Sequence, residues 1–210
     1  ASVFWQKDLQ GKIRTGKIML YNLSNGKRVK EPINHITWVH KAIKLSEFNL
    51  QQCFFGEHLL IDKTKIVAIV ESEKTAVIAS LYIPNLIWLA TGGKENLNLK
   101  IFSVLKGRNV ILYPDIDGFD KWTNKAKELS SITKIRVSDL LEKNATVIER
   151  EKQYDIADYL LQYDLNEFIS CYPLTKNTEQ IHINQNTSFD ENILPNTLSL
   201  IHISEPTRPY

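Results

Sequence analysis

Short apolar runs alternate with amphipathic segments through the middle of the chain. Four runs of five or six residues are rich in β-branched side chains, which is typical of strands buried on both faces. They read IVAIV (66–70), LIWLAT (86–91), NVILY (109–113) and ITKIRV (132–137). Between them, residues 73–82, 97–107 and 119–130 have helical spacing. Strands that alternate with helices predict a mostly parallel sheet flanked by helices.

The front of the chain has a different pattern. Residues 11–32 contain two strand-like runs around a hairpin-turn signal at residues 24–26, Ser-Asn-Gly. Four aromatic residues are interleaved with basic ones: Phe4, Trp5, Tyr21 and Trp38. This composition predicts a small β-rich unit that stacks on bases and contacts phosphates. The alternative is that these aromatic side chains form a minor core.

The end of the chain fits neither pattern. A polar stretch from about residue 175 to 196 is rich in Asn, Thr and Gln, which predicts a linker or tail. The last residues, LSLIHISEPTRPY, look like a translated sequencing adapter, so we expect them to be non-native and exclude them from fold reasoning. The predicted domains are therefore a β-rich segment (1–62), an α/β domain (63–172), a linker or tail (173–197) and a non-native tail (198–210).

Charge is distributed unevenly along the 210 residues, although the net charge is only +2. Residues 1–44 carry nine Lys or Arg side chains and two acidic ones, and the remainder is mildly acidic. A basic front on an acidic body is typical of nucleic-acid binders, with a solvated lysine-rich surface as the alternative. The hydrophobic content of 43% is sufficient for one sizeable core.

The cysteines and the lengths of the apolar segments bear on the cell compartment of the protein. Cys53 and Cys171 form no metal-binding pair motif, and we expect both to be buried thiols in a reducing compartment. No segment reaches the ~18 consecutive apolar residues of a membrane span, and no signal peptide is recognisable. The sequence therefore predicts a cytoplasmic protein without membrane partners.

Three acidic clusters suggest metal chemistry. Glu71 follows the first strand of the parallel sheet, Asp115 and Asp117 follow the third, and Asp155 and Asp158 lie in the string DIADYLL. Active sites of such sheets lie beyond the carboxyl ends of the strands. Carboxylates placed close together raise one another's pKa unless a cation neutralises them, and their hard oxygens suit Mg²⁺ or Mn²⁺. Asp155 has an equal alternative as the N-cap of a helix that begins near Ile156.

The order of these features resembles the Toprim domain, which DnaG-type primases, type IA and type II topoisomerases and some nucleases share. The resemblance covers roughly residues 65–162 and rests on the strings VAIVESEKTAVIAS, LKGRNVILYPDIDG and DIADYLL. When the string FFGEHLL and the front segment are included, the chain most resembles primase-like Toprim proteins of bacterial mobile elements. It implies an α/β, Rossmann-like Toprim fold with a small β-rich N-terminal segment. In one departure, Ser72 stands where primases usually have Gly, and the zinc-binding module and helicase-binding region of such primases are not recognisable.

The resemblance also implies roles for individual residues. Glu71, Asp115 and Asp117 would be catalytic and would bind Mg²⁺ or Mn²⁺, with Asp155 and Asp158 as further metal ligands. Nucleotide phosphates would contact the turn after the second strand, and Lys74 is a candidate for the same role, with an ordinary surface lysine as the alternative. The phosphate-binding set is Lys74, Thr91, Gly92 and Gly93, and the set expected to bind nucleic acid is Arg14, Lys17, Lys27, Arg28, Lys30 and Trp38.

The function predicted from these features is metal-dependent, primase-like nucleotidyl transfer in the replication of a mobile element. Single-stranded DNA and NTPs would be its substrates, and a replicative helicase is a further candidate partner. A non-catalytic nucleic-acid-binding Toprim module and a Toprim nuclease are alternatives. A haloacid-dehalogenase-type phosphatase, with Asp115 as nucleophile, is a weaker one, because that family carries its D-x-D on the first strand and Thr or Val where this chain has Phe119.

Overall fold

The computed structural model describes residues 1–171. The chain forms two compact units, Ala1–Gln162 and Tyr163–Tyr210. Of the second unit, the described part ends in one helix, Leu165–Cys171. The predicted linker and the predicted non-native tail both lie outside the described residues.

The N-terminal segment of the first unit is a three-stranded antiparallel sheet, which agrees with the predicted small β-rich segment. Strands β1 (Ser2–Lys7), β2 (Ile13–Met19) and β3 (Ile36–Trp38) pair in that order. The predicted turn lies in the connection between β2 and β3, where Tyr21 and Arg28 form an antiparallel bridge. We call residues 21–28 the basic hairpin.

The centre of the first unit is a parallel four-stranded sheet, which confirms the predicted α/β class. Its strands are β4 (Val67–Val70), β5 (Ile87–Ala90), β6 (Asn109–Leu112) and β7 (Lys134–Val137), arranged in the order β5-β4-β6-β7. All residues of β4 and β5 are buried, as expected for strands covered on both faces. This architecture is consistent with the predicted Toprim-like fold.

Seven helices belong to the described part of the first unit, and most are short. They are α1 (Val39–Ala42), α2 (Glu73–Tyr82), α3 (Leu99–Phe102), α4 (Phe119–Leu129), α5 (Leu140–Asn144), α6 (Val147–Glu151) and α7 (Ile156–Leu160). The helix predicted over 97–107 is shorter than expected. Asn98 caps it through the backbone N–H groups of Lys100 and Ile101, and a 3₁₀ turn at Ser103–Leu105 replaces its second half. Among the helices of residues 1–171, none has the length and apolar composition that a bilayer crossing requires.

The core lies between the parallel sheet and its helices, and it includes two residues from before the sheet, Phe54 and Leu60. Phe54 is fully buried among side chains of β4, β5, β6 and α4. Its neighbour Phe55 pairs with Ala90 at the outer edge of β5, through N–H to O bonds of 3.0 and 3.1 Å. Burying a phenylalanine side chain contributes roughly 2–3 kcal/mol, so this contact fixes the segment before β4 firmly against the sheet.

Candidate metal and phosphate site

The parallel sheet brings the predicted acidic residues to one edge. Strands β4 and β6 are neighbours and run parallel, so their carboxyl ends meet. Glu71 directly follows β4, and Asp115 follows β6 after Tyr113, whose N–H still donates to the carbonyl of Ile69 at 2.8 Å. Asp117 lies in a tight turn in which the N–H of Gly118 donates to the Asp115 carbonyl at 2.8 Å.

Asp115 has the most perturbed carboxyl group of the cluster. Its pKa is raised to about 8, first by burial and then by the negative charges of Glu71 and Asp155. Lys94 opposes this shift but does not cancel it. Perturbation of this kind, in which burial and specific charges act together, is typical of functional sites.

Glu71 is perturbed in the same direction. Burial raises the pKa of its carboxyl group, and the charge of Asp117 adds to that effect. The charge of Lys94, a hydrogen bond from the Lys94 backbone N–H and the charge of Lys17 oppose it. Glu71, Asp115 and Asp117 are therefore close enough to influence one another, and each also interacts with Lys94.

Lys94 is the residue of the site that the sequence analysis missed. Its Nζ lies 2.5 Å from Oδ1 of Asp117. Burial alone would lower the pKa of Lys94, but the hydrogen bond to Asp117 and the charges of Asp117, Glu71 and Asp115 outweigh burial and raise it. The available signal was its position, directly after the Gly92–Gly93 turn at the carboxyl end of β5.

The turn after β5, predicted to bind phosphate, is held by internal hydrogen bonds. The Thr91 hydroxyl donates to the Gly93 carbonyl at 3.0 Å, and the N–H of Gly92 donates to the Glu71 carbonyl at 2.9 Å. Gly92 has φ +75°, and a Cβ there would lie only 2.9 Å from Oε1 of Glu73. The left-handed backbone therefore favours glycine at this position, and a Cβ would in addition push on the buried Glu73 carboxylate. Thr91 is itself buried, so its hydroxyl serves the turn.

A buried ion pair joins this turn to the N-terminal sheet. Lys17, on β2, donates from Nζ to Oε2 of Glu73 at 3.1 Å and to the Gly92 carbonyl at 2.9 Å. The side chains of Lys17 and Glu73 are 11% and 1% exposed. Lys17 was predicted to bind nucleic acid, but the structure places its ammonium group in the interior with two partners of its own.

Asp155 and Asp158 form a reciprocal cap at the start of α7. Oδ1 of Asp155 accepts the Asp158 N–H at 2.9 Å, and Oδ2 of Asp158 accepts the Asp155 N–H at 3.3 Å. The other Asp155 oxygen accepts the hydroxyl of Thr75 at 2.6 Å. The N-cap alternative for Asp155 is therefore confirmed, and both of its oxygens already accept hydrogen bonds.

Asp158 connects this cap with basic residues. Burial raises the pKa of its carboxyl group and the charge of Asp155 adds to this, whereas the charges of Lys74 and Lys27 lower it. Lys27 is exposed and belongs to the basic hairpin, and Lys74 is half-buried on α2. The charge of the hairpin residue Lys27 is therefore felt at Asp158, next to Asp155, which in turn acts on Asp115.

The other residues predicted to bind nucleic acid differ in their exposure and in the contacts that they already make. Arg14 is half-buried and bonds Asp8 at 2.6 Å. Arg28 is half-buried, and Lys30 is exposed. Trp38 stacks on the ring of His40 with centroids 6.3 Å apart. Lys27, Arg28 and Lys30 thus form the basic group around the hairpin.

The donor set fits a divalent cation, although it is not arranged as a finished metal site. Glu71, Asp115 and Asp117 supply hard carboxylate oxygens of the kind Mg²⁺ binds. Within residues 1–171, no group of three or more His, Cys, Asp or Glu side chains is placed so that it could hold a metal ion as it stands. The ammonium group of Lys94 faces all three carboxylates, and the charge of Lys17 acts on Glu71 as well.

Comparisons with known proteins show the family. The family described as "Domain of unknown function (DUF6371)" matches residues 1–116, and the chain belongs to it. This match runs from β1 through Glu71 and Lys94 to Asp115, and no curated protein matches the chain. Among solved structures, the chain is similar to one from the complex of bacteriophage T7 lagging-strand DNA polymerase with primase domains of two gp4 subunits bound to an RNA/DNA hybrid and dTTP. That likeness has 16% identity and a TM-score of 0.43, and it covers 76% of this chain and 74% of the other.

Proposed function

We propose that the chain contains a Toprim-type primase module that joins nucleotides on a single-stranded DNA template with Mg²⁺ or Mn²⁺. The observation that carries this proposal is the convergence of Glu71 with Asp115 and Asp117 at the carboxyl ends of two adjacent parallel strands. The largely buried Asp115 carboxyl group, with a pKa of about 8, is mostly protonated at neutral pH without metal. A bound cation would favour its ionised form, which makes it a suitable metal ligand.

The roles follow from the environment of each side chain. Asp115 and Asp117 would hold the cation, since they flank one tight turn and Asp117 is open to solvent. Burial raises the pKa of Glu71, which makes its carboxylate a stronger base and suits it to proton abstraction from the attacking hydroxyl. A bound Mg²⁺ would neutralise the substrate phosphates and orient the reacting oxygens.

The template would contact the N-terminal sheet. Lys27, Arg28 and Lys30 on and beside the basic hairpin supply charge for the DNA backbone, and Trp38 supplies an aromatic surface for a base. The charge of Lys27 acts on Asp158, and Asp155 beside it acts on Asp115, so we expect one DNA strand to reach both the basic group and the carboxylates. Replication of a mobile element and contact with a replicative helicase extend the same proposal.

Primer synthesis by the full chain tests the proposal. Labelled NTPs and single-stranded DNA would be incubated with Mg²⁺ or Mn²⁺, with wild type compared against Asp115→Asn. We expect template-dependent products from wild type and a loss of about 100-fold or more in the variant. Asp120→Asn is the matched control, because Asp120 is an exposed aspartate on the first turn of α4. Absence of products from wild type at any metal concentration would contradict the proposal.

A non-catalytic nucleic-acid-binding module is the second candidate, and the Lys94–Asp117 ion pair favours it because the pair already neutralises part of the cluster. In that case, salt-dependent DNA binding would persist in Asp115→Asn while synthesis is absent. The same incubations would reveal a Toprim nuclease through degradation of the DNA. A generic phosphatase assay tests the remaining alternative.

A further inference from the structure

We propose that Lys94 is a resident cation of the carboxylate cluster and that a divalent metal ion must displace its ammonium group in order to bind. This inference rests on the proposed function, because it takes Asp115 and Asp117 as the metal ligands and Glu71 as their charged neighbour. It assigns a role to a residue that composition and motif did not single out.

The first argument is the path of the Lys94 side chain. In the sheet order β5-β4-β6, the loop that carries Glu71 lies between the loop after β5 and the loop after β6. Lys94 begins on the loop after β5, and its Nζ ends 2.5 Å from Asp117 on the loop after β6. Its Cε would be 3.7 Å from a Cβ built on Gly118, so the stem lies against the D-x-D turn. The side chain therefore crosses the mouth of the cluster.

The second argument is that Lys94 contacts the cluster from two places. Its ammonium group binds Asp117, and its backbone N–H donates to the Glu71 carboxylate. Its charge also acts on Asp115. Lys17 acts on Glu71 as well, but the Lys94 ammonium group acts on all three carboxylates. It occupies the position that a Mg²⁺ ion would need, since both would be held by the same oxygens.

The third argument is that this ion pair can exchange. The side chains of Lys94 and Asp117 are 28% and 42% exposed, so water can solvate both groups when they separate. Ion pairs of this exposure are weak, which allows a divalent ion to compete. The Lys17–Glu73 pair, buried beside the same turn, lacks this freedom.

A neighbouring lysine provides a matched control. Lys121 on α4 pairs with Glu95, which directly follows Lys94, but both side chains are well exposed. Neither Lys121 nor Glu95 is among the charges that shift the pKa of Glu71 or Asp115, and the ion-pair partner of Asp117 is Lys94. If any lysine near this edge influenced metal binding through general charge, Lys121 would do so as well.

The experiment is a calorimetric Mn²⁺ titration of the full chain as wild type, Lys94→Gln, Lys94→Arg and Lys121→Gln. We expect Lys94→Gln to bind Mn²⁺ about fivefold more tightly or better, the factor that corresponds to a weak ion pair. Lys94→Arg should behave as wild type, because it keeps the competing charge. Lys121→Gln should change affinity by less than a factor of two.

A metal-free measurement checks the same ion pair independently. In EDTA, Lys94→Gln should lower the melting temperature, and Asp117→Asn should lower it less in that variant than in wild type. Such non-additivity identifies a direct interaction between the two side chains. Additive effects would show that the ion pair contributes nothing and would overturn the proposal.

The outcomes separate this proposal from the proposed function. Equal Mn²⁺ affinity in wild type and Lys94→Gln, or weaker binding in the variant, would overturn the role of Lys94 while leaving the metal site intact. Binding by Lys94→Gln alone would support the role and show that Lys94 blocks the site. If none of the four proteins bound Mn²⁺, both the role of Lys94 and the metal-dependent function would fall.

Discussion

Two lysine–carboxylate pairs flank the turn at Gly92 and Gly93, and they differ in almost every physical respect. Lys17 and Glu73 are sealed between the N-terminal sheet and α2, and Lys17 also holds the Gly92 carbonyl. Lys94 and Asp117 are partly open to solvent at the mouth of the carboxylate cluster. A buried pair is costly to break, whereas a half-exposed pair can exchange partners. The first therefore suits a structural role and the second a role in binding.

The largest expected effect breaks the buried pair. Lys17→Met should leave Glu73 buried without its cation and lower the free energy of unfolding by about 3–5 kcal/mol. Urea denaturation followed by tryptophan fluorescence would measure this change. In the double variant Lys17→Met/Glu73→Gln, most of the loss should be recovered, because the uncompensated charge is gone. A single variant as stable as wild type would contradict the structural role of the pair.

The second prediction concerns Asp115, in the carboxylate cluster beside the Lys94–Asp117 pair. The pKa of Asp115 is about 8 in the folded protein, against 3.8 as its ordinary value. The folded state therefore binds more protons than the unfolded state between these values, and without metal this group makes stability fall as pH rises from about 4 to about 8. This change in the free energy of unfolding is on the order of 2 kcal/mol. It is smaller than the full pKa shift would give, because solvent reaches part of the Asp115 carboxyl group.

Asp115→Asn should remove that contribution. In EDTA, the variant should therefore be more stable than wild type at pH 8, and the two should converge near pH 4. Denaturation at several pH values measures the difference, and saturating Mg²⁺ should narrow it by stabilising wild type alone. Parallel pH profiles of the two proteins would show that Asp115 does not titrate differently on folding.

The third prediction concerns the turn between the two pairs. Gly92→Ala should cost about 1–2 kcal/mol for the left-handed backbone, and the contact with Glu73 should add to this. Gly107→Ala is the matched control, since Gly107 has φ +76° with nothing within 4 Å of the added Cβ. Thermal melting would compare the two. Equal losses would mean that Glu73 yields easily and that the buried pair is less rigid than its burial indicates.

The smallest effect on stability is expected when the partly exposed Lys94–Asp117 pair is broken. Lys94→Gln should lower the metal-free free energy of unfolding by about 1 kcal/mol or less, since its side chain is partly solvated. Denaturation of this variant beside Lys17→Met compares the two lysines directly. Similar losses from both would remove the distinction between a structural and an exchangeable ion pair.

Much of the sheet could be predicted from the sequence. The runs that form β4, β5 and β6 are short, apolar and β-branched, and burial on both faces requires that composition. The positions of Glu71 and Asp115 followed from a general rule, because parallel strands place their carboxyl ends together. The same rule explains why the spatial proximity of these residues could be expected although 44 positions separate them in the chain.

The remainder depends on contacts that no local pattern encodes. Lys17 and Glu73 are separated by 56 positions, and nothing near Lys17 distinguishes it from the exposed lysines Lys27 and Lys30. Lys94 had a local signal in its glycine turn, but its partner Asp117 is on another loop. The short helices α5 and α6 are only five residues long each, too short to show a clear helical period.

The bridge between Phe55 and Ala90 also affects how this sheet can meet other sheets. A strand at the edge of a sheet offers unpaired backbone groups that other chains can extend, which is a common origin of aggregation. At β5, the backbone of Phe55 pairs with the outer edge at Ala90. At β7, the other end of the strand order, Lys134 and Arg136 alternate with the apolar residues. One edge is thus partly covered and the other is charged, so the sheet resists strand-to-strand growth at both ends.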